Sequence, residues 1–186
     1  FDSFLENIDP YKRYLYQSDI DMLSKYKYEI DNSFNQPNLE FFDLAYETLT
    51  QRIDEAKQIS QEVLSKPFNF QLEETFNFDI EELQYVNSKI DLVERWRKLM
   101  KVYLIENYHD EIKEDERTFK KDSTFKVRSY SEIELKTREV LNETMADYFV
   151  IMEEEFQRQH WFSIYLNSFV SQYDPNTSYL DPEDRD

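Results

Sequence analysis

The sequence predicts an all-α domain, a bundle of four or more long helices joined by extended connections. None of the 186 residues is glycine, and tight β-hairpin turns favour glycine at their left-handed positions. Apolar residues recur at three- and four-residue steps along several stretches, which is typical of amphipathic helices. Aromatic residues make up 17% of the chain and supply bulky side chains for a buried core.

The first half of the chain contains two predicted helices. One covers residues 19–31, with Ser18 as its N-cap and acidic residues in its first turn. The other begins at Pro37 and ends before Pro67, because proline cannot continue a helix. The stretch FNFQLEETFNF, residues 68–78, alternates apolar and polar residues at both of its ends. We interpret it as an extended connection, with a small hairpin as the alternative.

The second half of the chain contains longer helices with a polar region between them. A helix is predicted over residues 80–108, with Asp79 as its N-cap. Residues 109–130 carry many charges of both signs, which indicates either a loop or a polar continuation of that helix. Ser131 caps the next helix, and a further helix either follows it or continues it after a bend near His160. Large residues on the apolar stripes are predicted to be core: Trp96, Leu99, Tyr103, Phe149 and Trp161.

The charge of the chain excludes several classes of partner. Acidic residues outnumber basic ones 40 to 22, giving a formal net charge of -18. Such a charge repels the phosphates of nucleic acids and of anionic membrane surfaces. No run of about 20 apolar residues is present, and the absence of cysteine excludes disulfides and thiolate metal sites. We therefore expect no nucleic-acid partner.

Few residues of this chain suggest a reaction centre. Phosphate-binding loops and nucleophile elbows need glycine and cannot occur. Glu106 and His109 fit the Glu-x-x-His spacing of di-iron bundles, but a second pair is required, and Gln157 precedes His160 at that spacing. We predict no metal, no cofactor and no catalytic residue here. A carboxylate-bridged metal enzyme is the alternative that metal analysis would test.

Basic residues surround one tryptophan in the segment ERWRKLMK. They are Arg95, Arg97, Lys98 and Lys101, with Trp96 between them. One interpretation is a cation–aromatic recognition patch. The interpretation that we favour is a core tryptophan, with basic side chains that extend past it towards solvent.

Two short stretches near the ends of the chain share the pattern Asp-Pro-x-x-x-Tyr-Leu. Asp-Pro begins a turn because proline fixes φ, and the Tyr-Leu pair can return apolar surface to the bundle. We therefore predict that both stretches anchor the chain where it enters and leaves the bundle. The residues are Asp9, Pro10, Tyr14 and Leu15 in the first motif and Asp174, Pro175, Thr177, Ser178, Tyr179 and Leu180 in the second motif.

Both ends of the chain resemble the bacterial tail-specific, or carboxy-terminal processing, proteases in the region before their PDZ domain. FLENIDPYKRYLYQSDID, residues 4–21, resembles the family's first segment of Leu-Asp-Pro, an aromatic residue and Gln-x-Asp-Ile. YLNSFVSQYDPNTSYLDPED, residues 165–184, resembles its Asp-Pro-His-Thr-Ser-Tyr segment, with Asn176 where histidine is common. The resemblance covers the whole chain but none of the family's catalytic machinery.

The resemblance implies that residues 1–180 form an N-terminal helical domain and that residues 181–186 begin a linker to a PDZ domain. It implies a parent serine endopeptidase that degrades or trims polypeptides recognised by their C-terminal tails, with its serine–lysine dyad outside this chain. The present chain would be its noncatalytic scaffold, located in the cell envelope, periplasmic or membrane-anchored. The implied partners are the PDZ domain and peptidase core of the same parent, polypeptide substrates and an adaptor protein. The alternative is a freestanding helical module that binds another protein.

Overall fold

The computed structural model describes residues 1–28, 39–155, 157–173, 177 and 179, and this part of the chain is all-α, as predicted. Its helices are, in order, α1 (Asp2–Ile8), α2 (Gln17–Leu23) with a following 3₁₀ turn (Ser24–Tyr26), α3 (Glu40–Leu64), α4 (Lys89–Lys121), α5 (Tyr130–Glu155) and α6 (Arg158–Tyr173). Four of them have 16 residues or more, which confirms the predicted bundle of long helices. None of these helices is long and apolar enough to cross a lipid bilayer.

The core lies between α3, α4 and α5, while α6 packs on α3 and α1. The apolar faces of these helices meet in one buried cluster. Phe42 of α3 lies against two rings of α6, at centroid distances of 5.1 Å to Phe162 and 5.4 Å to Tyr165. Burial of such large rings is a principal source of stability in a chain of this size.

The predicted core is correct at four positions and wrong at one. The buried residues are Trp96, Leu99, Phe149 and Trp161. Tyr103 is 39% exposed. Helical spacing cannot distinguish a residue that faces the core from one that borders a surface groove.

Helix α2 is shorter than the helix predicted over residues 19–31. It ends at Leu23, and the part of the prediction beyond residue 28 lies outside the described residues. The predicted cap is wrong, because the N-cap is Tyr16 rather than Ser18. The carboxylate of Asp19 accepts the main-chain N–H of Tyr16 at 2.9 Å and binds the guanidinium of Arg52 at 2.8 Å. This contact with a distant helix sets the start of α2.

Helix α3 ends at Leu64, before Pro67, as predicted. Its predicted start at Pro37 lies outside the described residues. Helix α5 ends at Glu155 and α6 begins at Arg158. A separate helix therefore follows α5, close to the bend predicted near His160.

Helix α4 begins later and ends later than the prediction of residues 80–108. Its N-cap is Ser88, whose hydroxyl oxygen accepts a main-chain N–H of the first turn, from Asp91, at 3.2 Å. Asp79 caps only a short turn, where it accepts the N–H of Glu81 at 3.0 Å. The helix continues through the charged region to Lys121. Of the two alternatives for residues 109–130, the polar continuation is correct up to Lys121, and residues 122–129 form a connection without helix.

Helix α5 begins with a capping box at Ser129, two residues before the predicted cap at Ser131. The carboxylate of Glu132 accepts the N–H of Ser129 at 2.7 Å, and the Ser129 hydroxyl accepts the N–H of Glu132 at 3.3 Å. The preceding Arg128 donates its main-chain N–H to the buried carboxylate of Asp115 at 2.9 Å. The connection between α4 and α5 is thus fixed at the end that leads into α5.

The stretch 68–78 is an extended connection, and the alternative of a small hairpin is wrong. No strand occurs between α3 and α4, and the isolated β-bridge in the described part of the chain joins Tyr16 to Val86. The carbonyl of Leu72 instead accepts the ammonium group of Lys101 at 2.9 Å. A side chain of α4 therefore satisfies one main-chain group of this stretch that a second strand would otherwise pair.

Candidate functional site

The first motif is a closed turn organised by the carboxylate of Asp9. Asp9 directly follows α1 and is 1% exposed, while Pro10 is exposed. The two carboxylate oxygens accept the main-chain N–H groups of Arg13 at 2.9 Å, Tyr14 at 3.1 Å and Leu15 at 2.9 Å. These three N–H groups belong to no helix or strand and need another acceptor. The predicted turn at Asp9 therefore depends on the side chain of its first residue.

Lys12 takes the left-handed backbone position within this turn. Its φ is 46°, a region that favours glycine, and the sequence contains none. Its N–H donates to the carbonyl of Asp9 at 3.0 Å, and its ammonium group donates to the carbonyl of Leu83. These contacts hold a conformation that costs a non-glycine residue on the order of 1 kcal/mol.

The first motif is anchored to α4 and α5. Tyr14 and Leu15 are buried. The phenol of Tyr14 and the guanidinium of Arg13 both form hydrogen bonds with the hydroxyl of Tyr148 on α5. The indole N–H of Trp96 on α4 donates to the carbonyl of Arg13 at 2.9 Å. The turn is therefore part of the core.

Burial raises the pKa of Asp9 above its ordinary value of 3.8. The three main-chain N–H groups that donate to this carboxylate act in the opposite direction, and the loss of solvation is the larger effect. The protonated form of Asp9 is thus favoured more strongly in the folded chain than in the unfolded chain. Folding is therefore coupled to pH at this residue.

The second motif is described only at Thr177 and Tyr179. The N–H of Tyr179 donates to Oδ1 of Asn167 at 2.6 Å, and Nδ2 of Asn167 donates to the carbonyl of Tyr179 at 3.0 Å. One amide side chain of α6 thus pairs with both polar main-chain groups of Tyr179, while the residue stays 38% exposed. At Tyr179 the chain contacts the bundle through its main-chain atoms. Four residues of the motif lie outside the described part of the chain: Asp174, Pro175, Ser178 and Leu180.

Helices α1 and α6, which precede the first motif and the second motif, pack against each other. Nδ2 of Asn7 on α1 donates to the hydroxyl of Ser168 on α6 at 3.1 Å. The rings of Phe4 and Tyr165 meet edge to face at a centroid distance of 5.3 Å. Asn167, the residue that holds the second motif, therefore lies on a helix that is packed against α1.

The basic residues around Trp96 form no exposed cation–aromatic patch. Trp96 is 1% exposed and Lys101 is 4% exposed. The ammonium of Lys101 donates to the carboxylate of Glu74 at 2.6 Å, and Arg97 donates to both oxygens of the same group. Hydrogen bonds from Arg97 and then from Lys101 hold the pKa of Glu74 at about 2. Trp96 is a core residue as favoured, but Lys101 is buried and paired instead of extending to solvent.

A groove of about 380 Å³, here called the aromatic groove, borders the first motif, α4 and the connection before it. Tyr11 is 50% exposed and Phe78 is 63% exposed. The groove also accounts for the exposure of Tyr103, which was predicted to be core. Four aromatic side chains and two guanidinium groups are among its lining: Tyr11, Phe76, Phe78, Tyr103, Arg13 and Arg95.

The candidate metal ligands are not brought together in the described part of the chain. Glu106 and His109 lie on the exposed surface of α4. His160 lies in α6, with its ring 6.2 Å from that of Trp161. Among the described residues there is no group of three or more histidine, aspartate or glutamate side chains that could hold a metal ion.

Comparison with known proteins agrees with the resemblance seen at the two motifs. The family model described as the tail-specific protease N-terminal domain matches residues 1–183. The chain belongs to this family. The tail-specific protease of Haemophilus influenzae is 29% identical over 184 residues, which are 98% of the chain and 23% of that relative. The chain therefore spans about a quarter of the length of this relative.

The family match does not separate the predicted domain from its predicted linker. It extends to residue 183, beyond the boundary that we placed between residues 1–180 and residues 181–186. That boundary stays a prediction.

Sequence reasoning missed two residues that hold the motifs of this tail-specific protease N-terminal domain. They are Tyr148, which binds the first motif, and Asn167, which binds the second motif. Tyr148 looks like one more residue of an apolar stripe. Asn167 interrupts the apolar segment YLNSF, and a polar residue in such a segment is a cue for a specific hydrogen bond.

Proposed function

We propose that this tail-specific protease N-terminal domain is the noncatalytic helical scaffold of a carboxy-terminal processing serine endopeptidase. The scaffold holds the start of the next domain, a PDZ domain, in a fixed direction relative to the peptidase core. The parent enzyme degrades or trims polypeptides that it recognises by their C-terminal tails. Family membership and the name of the relative, a tail-specific protease, support this proposal.

The observation that carries the scaffold role is the pairing of Asn167 with both main-chain groups of Tyr179. Two hydrogen bonds to one residue fix the position and the direction of the chain at that point. Tyr179 lies two positions before the first residue of the predicted linker at residues 181–186. The bonds are exposed and add little stability, so their value lies in limiting the directions in which the next domain can leave.

The proposal assigns the chemistry to other parts of the parent. The serine nucleophile and the lysine base belong to the peptidase core, and this chain contains no glycine for an oxyanion loop. The partners are the PDZ domain, the peptidase core, polypeptide substrates and an adaptor protein. The compartment is the cell envelope, periplasmic or membrane-anchored, and the absence of cysteine is compatible with an oxidising location. Fractionation of cells that express the parent tests the location, and recovery in the cytoplasm would contradict it.

The scaffold role is tested in the full-length parent with the substitution Asn167→Ala. We expect kcat/KM for a substrate with a recognised tail to fall several-fold, with an unchanged melting temperature. The matched control is Asn107→Ala, since Asn107 also lies on a helix and its amide donates, among the described residues, to the carbonyl of Tyr103 in its own helix, at 3.4 Å. Equal rates for both variants and the parent would contradict the scaffold role of the second motif.

The noncatalytic role is tested separately with the chain alone. An unfolded polypeptide with an apolar C-terminal tail should remain intact after incubation with the chain. Cleavage activity that follows this chain through every purification step would contradict the assignment.

A further inference from the structure

The aromatic groove holds two guanidinium groups whose hydrogen bonds, among the described residues, are to neutral acceptors. Arg13 donates to the phenol of Tyr148, and Arg95 donates to the carbonyls of Lys12 and Gln84. In the part of the chain that the structure describes, neither guanidinium lies within ion-pair distance of a carboxylate. This is notable in a chain with a formal charge of -18, where a cation has many carboxylates to pair with.

The carboxylates in this region are bound to other groups. Asp9 accepts three main-chain N–H groups. Asp91 accepts the hydroxyl of Ser88 at 2.7 Å, and Glu82 accepts the amide of Asn77 at 3.0 Å. Asp9 acts on both guanidinium groups through space and Asp91 acts on Arg95, but no described carboxylate forms an ion pair with either group. The groove therefore keeps two guanidinium groups with which the carboxylates of a ligand can form ion pairs.

The rest of the groove is apolar. The rings of Phe76 and Phe78 meet edge to face at a centroid distance of 4.9 Å, and Leu99 is buried between the aromatic side chains and the core. The volume of about 380 Å³ lies within the range of roughly 300 to 1,000 Å³ that is typical of ligand pockets. Such a pocket accepts a short peptide stretch with two or three apolar side chains.

We propose that the aromatic groove binds an internal segment of a partner polypeptide in which acidic side chains flank aromatic or aliphatic residues. Arg13 and Arg95 are held by different neighbours, so they suit two carboxylates spaced along a chain better than the single carboxylate of a chain end. Guanidinium–carboxylate pairs are strong and directional in a partly desolvated site. This binding goes beyond the scaffold role and requires no protease activity, so each proposal can fail without the other.

Binding is measured by fluorescence anisotropy with a labelled peptide that contains Glu-Phe-Leu-Glu and is blocked at both ends. Replacement of both peptide glutamates by glutamine should weaken binding by about tenfold or more. Added salt should also weaken binding, because the ion pairs are partly exposed. A third peptide, with the glutamines and a free C-terminal carboxylate, should bind as weakly as the blocked glutamine peptide.

Protein variants locate the site. Arg95→Gln and Phe78→Ser should each weaken binding of the acidic peptide by about fivefold or more. Phe78 is 63% exposed, so its substitution leaves the fold intact even if Arg95→Gln disturbs the first motif. The matched control is Tyr28→Ser, because Tyr28 is 85% exposed and lies outside the groove.

Four results would overturn the proposal. They are no binding at millimolar peptide, equal binding of the acidic and glutamine peptides, binding restricted to the free C-terminal carboxylate, and an equal loss of binding for Phe78→Ser and Tyr28→Ser.

Discussion

The first motif and the second motif share a sequence pattern, but they are held in different ways. In the first motif, the 1% exposed Asp9 binds three main-chain N–H groups, and Tyr14 and Leu15 are buried. In the second motif, an amide on α6 binds the main chain of Tyr179, which is 38% exposed. The comparison indicates that the first motif stabilises the fold, whereas the second motif directs the chain at little cost or gain in stability.

The largest loss of stability is expected for substitution of Trp96, the core residue that binds the first motif. Trp96→Ala should lower the free energy of unfolding by about 3 to 5 kcal/mol, because it leaves a cavity and removes the hydrogen bond to the carbonyl of Arg13. Urea denaturation followed by circular dichroism measures this loss. An unchanged unfolding midpoint would show that Trp96 and its bond to the first motif do not contribute to the core.

Removal of the Asp9 carboxylate should have the next largest effect. Asp9→Ala leaves three main-chain N–H groups of the turn without their acceptor and should cost about 3 kcal/mol of unfolding free energy. Asp2→Ala is the control, since the side chain of Asp2 is 71% exposed and its partner is Lys27 at the surface. The control should cost less than about 0.5 kcal/mol. Equal losses for the two variants would contradict the role of Asp9.

The pH dependence of stability should separate the charge of Asp9 from its hydrogen bonds. Because burial raises the pKa of Asp9 in the folded chain, its contribution is fully present below the unfolded value of 3.8 and is lost as pH rises through the raised pKa. The difference in unfolding free energy, wild type minus Asp9→Asn, should therefore decrease as pH rises from 3.8. A difference that increases over this range would show that the folded pKa is lowered instead.

The smallest expected effect belongs to the second motif. Asn167→Ala removes two exposed hydrogen bonds and should change the free energy of unfolding by less than about 1 kcal/mol. The same urea titration measures it. A loss as large as that of Asp9→Ala would remove the distinction between the two motifs.

The all-α fold could be predicted because its signals are local and repeated. The absence of glycine and the apolar stripes both favour helices, and the proline after α3 marks an end that the structure confirms. The wrong predictions concern segments whose local structure depends on a residue that is distant in the sequence. Asp19 sets the start of α2 through Arg52, and Glu74 binds its segment to α4 in place of a hairpin.

The candidate site could likewise be predicted where its signals are local in the sequence, but not where a distant residue completes it. Asp9, Tyr14 and Leu15 stand in a recognisable turn pattern, so that their anchoring role follows from the sequence. The partners that complete the motifs are Tyr148, which is 134 positions from Tyr14, and Asn167, whose bond leads to an exposed residue. No local pattern connects such pairs.

Amide hydrogen exchange, measured residue by residue by NMR, tests the division of roles between the motifs most directly. In the wild-type chain the amides of Tyr14, Leu15 and Tyr179 should all be protected, because each N–H has a side-chain acceptor. Asn167→Ala should abolish protection at Tyr179 and leave Tyr14 and Leu15 unchanged. Protection lost at all three amides in this variant, or a freely exchanging Tyr179 in the wild type, would contradict the account.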